Sequence, residues 1–414
     1  MYRVTSNMMK NDLIYNIDNH LQSMDKMHNQ LSTGKKVRVP HDDVVSATHS
    51  MIYRSRINQI QQYIKNIDEG NERLTTTDSS LQSVNDILKR FKELTVQGAN
   101  GIYTDNDRAK IAVEVDELTK QLVQIANTKY KGESLFGGHR TDISPFQVVK
   151  GRPNYADREV ITSVRYRGNI GKQNREIEQG EYAAVNLPGD KAFWTTNQVI
   201  TSGVNVTAYT APANAQIKID GKTIDIAAGD NIKTIVSKIN NANVPVYASL
   251  TGFKNNSLQI TTTAPHELWM EDIGTSTILQ DLGLANRNMK PNQAPGVGTS
   301  RKGMSLFDMA IQLRDDLWKG DVKNLGSRDI AMLDASQDNI LKNLAEVGAR
   351  THRLDAVKNR LTQDNTSMMD VLAKTENIDF PETIMNLKMM EYIHQSSLAS
   401  GAKAIKPTLI DFLR

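Results

Sequence analysis

Cysteine is absent from this chain of 414 residues, so neither a disulfide framework nor a thiolate metal site can be built from it. An excess of one charge sign is also missing. Lys and Arg number 50 against 47 Asp and Glu, a formal net charge of +3, which leaves no electrostatic case for nucleic acid as the main partner. No apolar run approaches the roughly twenty residues of a membrane span, and Met1 to Lys10 lack an apolar core of signal-peptide length. Membrane insertion is therefore not expected, and any exit from the cytoplasm is expected to use no cleaved leader. Proline is scarce, and most of the 11 prolines fall between residues 145 and 295. The long stretches without it are free to be helical. A length of this order allows about two to four domains.

Those stretches carry apolar residues in a three-four alternation. Between Ile60 and Phe91 the beat runs Ile60, Tyr63, Ile67, Gly70, Leu74, Thr77, Leu81, Val84, Leu88, Phe91. It resumes as Ile330, Leu333, Ile340, Leu344, Val347, Leu354, Leu361, Met368, Leu372. A repeat averaging 3.5 residues keeps one narrow seam facing a partner helix, so the two ends are expected to pack on each other. A first helix shows the same beat at Ile14, Ile17, Leu21, Met24, His28 and Leu31. Gly34 is placed to cap it, and Pro40 bars its continuation. Asp42 or Asp43 can cap the next helix, which can run from about Val44 to about Ala99. A third segment with Arg108, Ile111, Val115, Leu118, Leu122 and Ile125 ends near Lys131-Gly132. After Pro381 a terminal helix carries Ile384, Leu387, Glu391, His394, Leu398, Ala402, Ile405, Leu409 and Phe412 on one stripe.

From Pro145 the pattern changes to short alternating runs such as Val160 to Tyr166. Gln216 to Ile219 and Thr223 to Ile226 flank Asp220-Gly221, a hairpin turn signal. Asp230 can cap a short helix with Ile232, Ile235, Val236 and Ile239 on one face. Val244 to Leu250 and Leu258 to Thr262 read as two more strands. A ββαββ unit of this kind can close its own core. The expected fold is α+β: long N- and C-terminal helices packed as a coiled-coil rod, with an inserted β-rich middle domain. Segment bounds are placed at 1–43, 44–144, 145–300 with the ββαββ repeat at about 215–284, 301–378, and 379–414.

Candidate chemistry yields to plainer readings. Gly296, Gly298 and Gly303 near Lys302 lack the spacing of a phosphate loop. His41 beside Asp42 and Asp43 is one imidazole with two capping acids, too few ligands for a metal. His20, His28 and His49 do not form an i, i+4 pair, and no Gly-x-Ser-x-Gly elbow occurs. No catalytic residue, cofactor or metal site is expected. The methionines near the ends (Met8, Met9, Met24, Met27, Met368, Met369, Met385, Met389, Met390) suit core filling and adaptable subunit interfaces equally.

Leu31-Ser-Thr-Gly-Lys-Lys-Val-Arg-Val-Pro-His-Asp-Asp43 resembles the N-terminal signature of the bacterial flagellin family, a Leu-Ser-Thr/Ser-Gly stretch with a later Asp-Asp. The motif residues are Leu31, Ser32, Thr33, Gly34, Asp42 and Asp43. Arg3 to Met9 and Ala126 to Gly138 look more like the family's junction members than its bulk filament subunits. Arg165 to Gly171 with Val185 to Phe193 resembles the start of their middle domain. Residues 215–284 are similar to the flagellin-hook IN repeat, with Ile239-Asn240 as its pair. Ser397 to Lys403 and Leu409 to Leu413 resemble the family's last helix. One departure is Val44-Val45, where the family often has proline or small residues.

The resemblance implies a structural protein of the flagellum, exported uncleaved by the flagellar type III apparatus, that forms the junction layer between hook and filament. Implied partners are copies of itself, the hook-side junction protein, flagellin or other filament subunits, and an export chaperone on the C-terminal helix. The expected subunit or chaperone interface is Ile14, Ile17, Leu21, Met24, Leu31, Leu387, Leu398, Ile405, Leu409 and Phe412. The alternatives are the bulk filament subunit and, from another class, a cytoplasmic coiled-coil scaffold.

Overall fold

The computed structural model describes residues 6–153, 158–251, 257–285 and 300–404. The chain opens with α1 (Ser6–Thr33), α2 (Val44–Ala99) and α3 (Asp105–Ala126). Short strands follow as β1 (Lys129–Tyr130), β2 (Glu133–Ser134), β3 (Phe146–Gly151), β4 (Val160–Tyr166), β5 (Asn174–Glu178) and β6 (Glu181–Ala184). Next come α4 (Gly189–Ala192), β7 (Val199–Thr201), β8 (Ala215–Ile219), β9 (Lys222–Ile226), α5 (Ile232–Asn241), β10 (Val246–Thr251) and β11 (Ser257–Thr262). The rest is β12 (Met270–Ile273), α6 (Ile278–Asp281), β13 (Ser300–Lys302), α7 (Leu306–Lys319) and α8 (Val322–Asn324). A π-helical turn at Leu325–Asp329 then leads into α9 (Ile330–Glu376) and α10 (Phe380–Ala404). Two compact units result, residues 1–65 with 358–414, and residues 66–357.

In the larger unit the three-four beat becomes an antiparallel seam between α2 and α9. Ile67, Leu74, Leu81, Val84, Leu88 and Phe91 are buried on α2, and Leu333, Ile340, Val347 and Leu354 on α9. Its register is marked by Asn71 donating to Asp355 at 2.7 Å and by Lys92 pairing with Asp334 at 2.6 Å. Gly70 occupies an apolar beat position because three segments meet there. A Cβ would lie 2.7 Å from Val185 Cγ1 and 3.5 Å from Leu354 Cδ1. α3 packs on α7, each opened by a capping box, Thr104 with Asp107 and Ser305 with Asp308. That arrangement satisfies two of the free N–H groups at each helix start.

α3 stops at Ala126, short of the expected Lys131-Gly132. Asn127 turns its side chain to the backbone of Phe146, donating to its carbonyl and accepting from its N–H, both at 2.9 Å. Lys131 and Gly132, at φ 49° and 85°, form the turn of the β1–β2 hairpin instead. The strands from residue 146 on likewise pack on helices rather than on the later sheets. Phe193 meets Phe136 and Phe146 edge-on and stacks on Phe307 of α7, which also packs on Phe146, ring centroids 4.9 to 5.5 Å apart. Arg314 of α7 is wholly buried; it bonds Asp116 of α3 at 3.0 Å and the Ile161 carbonyl of β4 at 2.8 Å.

The self-contained core therefore begins near residue 199 rather than 145. It unites Ile217, Ile219, Ile224 and Ile226 with Ile232, Ile235 and Ile239 of α5 and Leu258 and Ile260 of β11. The expected ββαββ order is present as β8, β9, α5, β10 and β11, but its two hairpins sit in different sheets. β8 and β9 join β12 in the order β12-β8-β9, while β10 and β11 join β7 and β13 in the order β10-β11-β7-β13. Asp220-Gly221 adopts φ 46° and 84°, the primed turn that a two-residue hairpin needs. The cap of α5 is Asn231, which accepts from Thr234 N–H at 3.0 Å, one residue beyond the expected Asp230. Asn240 staples α5 to β10 by bonding both backbone groups of Ala248. Entry and exit are adjacent: β7 pairs antiparallel with β13, Ile200 opposite Arg301.

Because the stem is a paired β7–β13 ribbon, replacing residues 199–302 by a short Gly/Ser turn should leave the cooperative melt of the helical part nearly unchanged. Removing 145–300 instead should abolish it, since Phe146, Phe193 and the Ile161 carbonyl go too; circular dichroism melts of both deletions check this. Arg314→Ala should destabilise the larger unit, but by less than the about 3–5 kcal/mol of stranding one member of a buried ion pair, because Lys120 and Arg158 still pair with Asp116. Denaturant unfolding reads this directly, and removing both charges as Arg314→Met with Asp116→Leu should cost less.

Candidate assembly interface

The smaller unit is built from the terminal helices and the segments that join them to α2 and α9. Gly34 ends α1 in the left-handed region at φ 71°, its N–H bonded to the Gln30 carbonyl at 2.8 Å. The chain then runs antiparallel to the α9–α10 junction. Lys36 N–H donates to the Glu376 carbonyl, Ile378 N–H donates to the Gly34 carbonyl, and Lys35 bridges Asn377. Glu376, with its side chain nearly buried, anchors the crossing by pairing with Lys35 and Arg54; the Arg54 Nε–Oε2 distance is 3.2 Å. The Arg54 hydrogen bond, helped by Lys35, holds the Glu376 carboxyl below the ordinary range.

The two acids at the end of the signature have separate mechanical tasks. Asp42 accepts from the N–H groups of Arg38 and Val39, both at 3.2 Å, folding the connector back on itself. Asp43 is the cap of α2, accepting from Val45 and Ser46 N–H at 3.0 and 3.1 Å and from the Ser46 hydroxyl. These bonds to the ionised forms lower both carboxyl pKa values. With Asp43 in place, α2 starts normally despite Val44-Val45, whose side chains are exposed.

α10 begins at Phe380, with Pro381 in the first turn, where a missing N–H costs nothing. It packs along α1, and Gly401 lets it approach: a Cβ there would lie 2.4 Å from Leu13 Cδ2. The expected stripe is split by this contact. Ile17, Met24 and Leu31 are half-buried and Leu387 is buried, whereas Ile14 is 55% exposed and Leu21 and Leu398 are each 48% exposed. Ile405, Leu409 and Phe412 lie outside the described residues. The inward line on α1 is Leu13, Ile17, His20, Met24, Met27 and Leu31, which shares Ile17, Met24 and Leu31 with the expected seam. On α10, Leu387, Glu391 and His394 are common to both lines, Met390 joins them, and Ser397 takes the place of Leu398 in the inward beat. One apolar face on each helix is wider than one partner helix can cover.

Most exposed large apolar side chains among the described residues belong to this unit. They include Met8, Met9, Tyr15, Ile384, Met385, Met389, Tyr392 and Ile393, with Val44, Met51 and Ile52 on the start of α2. Monomeric proteins rarely leave apolar surface of this extent uncovered. Sequence periodicity could not reveal it, because a three-four beat does not distinguish a covered face from one awaiting a neighbour. Among the described residues no helix is long and apolar enough to cross a membrane.

Residues 4–141 match the family model of the bacterial flagellin N-terminal helical region. The chain is 27% identical over 192 residues to flagellar hook-associated protein 3 of Escherichia coli (strain K12), covering 46% of this chain and 56% of that protein, little more than half its length. It is 23% identical over 394 residues to polar flagellin F of Vibrio parahaemolyticus, covering 93% of each chain. The solved structure of flagellar hook associated protein-3 from Legionella pneumophila aligns with a TM-score of 0.45 at 19% identity, over 78% of this chain and 97% of that one.

Glu376→Gln should destabilise the smaller unit by about 1–2 kcal/mol, a charge-assisted bond discounted for the solvent exposure of Arg54 and Lys35. The contribution of a depressed carboxyl is present above its unfolded pKa and lost as pH falls through the folded one. In the parent chain, amide protection at Lys36 and Ile378 should therefore fall on acidification below the ordinary glutamate range. In the variant that acid step should be missing.

Proposed function

We propose that this flagellin-type chain, similar to hook-associated protein 3, is a structural subunit of the bacterial flagellum that forms the junction layer between hook and filament. The observation that carries the reading is the uncovered apolar face of α1 and α10. Helices that bury one side on each other and leave the other side bare gain stability when further copies cover that side. Subunit contacts through Ile14, Leu21, Leu398 and their neighbours would close the face. Ile405, Leu409 and Phe412 would extend the stripe. The partners this reading names are neighbouring copies, the hook-side junction protein and filament subunits, with an export chaperone covering α10 before assembly and the type III apparatus as the route out. A structural role of this kind needs no catalysis and no cofactor.

A second reading is favoured by one observation, the end-to-end likeness to a polar flagellin. On that reading the chain is a bulk filament subunit. Copy number per flagellum separates the two, being low for a junction layer and high for a filament.

A deletion strain viewed by electron microscopy should show hooks without filaments, with flagellin shed into the medium. Filaments of normal length on that strain would end the junction reading. Leu398→Asp should leave the isolated protein's stability within about 0.5 kcal/mol, because the position is exposed there. Motility should nonetheless be lost, since an unpaired charge in a closed interface costs several kcal/mol.

A further inference from the structure

A buried polar cluster joins the β unit to α4. His266 lies between β11 and β12 with its side chain nearly buried. Its Nδ1 is 2.8 Å from the Ala264 carbonyl oxygen, and its Nε2 is 2.9 Å from Asp220 Oδ2 at the β8–β9 turn. Both neighbours are acceptors, so the ring satisfies both only when both nitrogens carry protons. The same Asp220 carboxylate accepts from Trp269 N–H, and Asp220 N–H donates to the Trp269 carbonyl, each at 2.9 Å. The turn is thus held to the 264–269 segment through a group whose second donor exists only in the cation.

The other titratable groups packed here are Asp190 on α4, Glu267, and Tyr166 at the end of β4. Asp190 is buried, and its Oδ1 has no hydrogen-bond partner among the described residues. Its backbone carbonyl accepts from Glu267 N–H at 3.3 Å, a direct link between α4 and the β unit. The Tyr166 hydroxyl donates within the same pocket of backbone carbonyls, 2.9 Å from those of Phe136 and Asn169. No lysine or arginine bonds His266, Asp220 or Asp190 through its side chain among the described residues, so the imidazolium is the cation bonded into the group.

We infer that His266 is a proton-operated latch, holding the Asp220-Gly221 turn, the 264–269 segment and α4 together when protonated and loosening them when it loses its proton. The titration directions agree with the geometry. Burial alone would push the imidazole down, but the hydrogen bond and charge of Asp220 push it above the ordinary value. Stability from a raised histidine is fully present below its unfolded pKa and is lost as pH rises through the folded one. Burial pushes the Asp190 carboxyl up to about 7, opposed by the His266 cation. A raised carboxyl also weakens the folded state as pH rises from its ordinary range to about 7, so both groups favour release as pH rises.

The test is amide hydrogen exchange on the full chain, corrected for intrinsic rates, from about pH 5.5 to 8.5, the range in which histidine titrates. Protection at Asp220, Glu267 and Trp269 should be constant on the acid side, fall by up to about tenfold per pH unit as pH rises from the ordinary histidine range to the His266 midpoint, and level off above it, the course of a one-proton linkage. His266→Gln, which can donate but cannot titrate, should remove the histidine step and leave only the dependence due to Asp190, and His266→Gln combined with Asp190→Asn should make that protection independent of pH. Asp190→Asn should lower the His266 midpoint read from its ring resonances, because the neutral amide no longer supports the cation. Flat protection in the parent chain overturns the inference, as does an unchanged slope in His266→Gln. If His266→Gln does not fold, the Asp190→Asn midpoint decides: a downward shift supports the latch and no shift overturns it. None of these outcomes depends on the flagellar reading.

Discussion

The antiparallel seam between α2 and α9 is the constraint from which the remaining arrangement follows. It sets residues from the two ends of the chain side by side in both compact units, Asn71 with Asp355 in one and Arg54 with Glu376 in the other. Once the ends run together, everything between them must leave and return at neighbouring points. β7 and β13 do so as a paired ribbon. Loop-closure cost grows slowly with the length enclosed, so such a stem tolerates an inserted unit with a core of its own. The same crowding explains why Gly70 stands in the apolar beat and why α2 carries another glycine near its end, Gly98. At each, a third element presses in, Val185 at Gly70 and Leu317 at Gly98.

What fastens the intermediate strands is chemically different. β3 and β4 bury little apolar surface between themselves, and an isolated two-stranded hairpin is marginal in water. Their order comes from the phenylalanine cluster around Phe193 and from Arg314, whose guanidinium bonds the Asp116 and Asp315 carboxylates and the Ile161 carbonyl. Removing an arginine from water is costly, and its partners recover that cost only where α3, α7 and β4 keep their mutual geometry. The hub therefore selects one packing of these three elements against others.

Much of this was legible before any coordinate. The period of 3.5 residues located the α2 and α9 seams, and Asp-Gly located the β8–β9 turn. The Leu-Ser-Thr-Gly signature located a helix stop whose acids Asp42 and Asp43 proved to be a connector clamp and a cap. The illegible parts share a cause. Whether strands at 146–166 belong to helices or to later sheets depends on Phe136, Phe193 and Phe307 meeting, a contact between positions far apart in sequence. Which side of α1 turns inward was equally hidden, since Leu13 and Ile14 are neighbours and either can start a three-four beat through Ile17, Met24 and Leu31. His266 offered no signal, because its role exists only once Asp220 and Ala264 stand on either side of the ring.

The sparse burial of the terminal helices bears on their purpose. No described side chain of α1 is buried, and on α10 burial among the described residues is confined to Leu387 and Gly401. Ordering a backbone costs about 1–2 kcal/mol per residue, and a fully buried leucine returns only about 1.5–3 kcal/mol. Helical hydrogen bonds and the half-buried line offset part of that cost, yet two helices in this state stay close to the folding threshold. Widening the covered face is the direct remedy, and the side chains able to do it, among them Ile14, Leu21, Ile384, Met389 and Leu398, are already in position on the outer side. Methionine is well suited to such a face, because its unbranched thioether adapts to whatever neighbour arrives. On the proposed reading, a pair that is incomplete alone and complete in company would keep unassembled subunits loose while strongly favouring the assembled state.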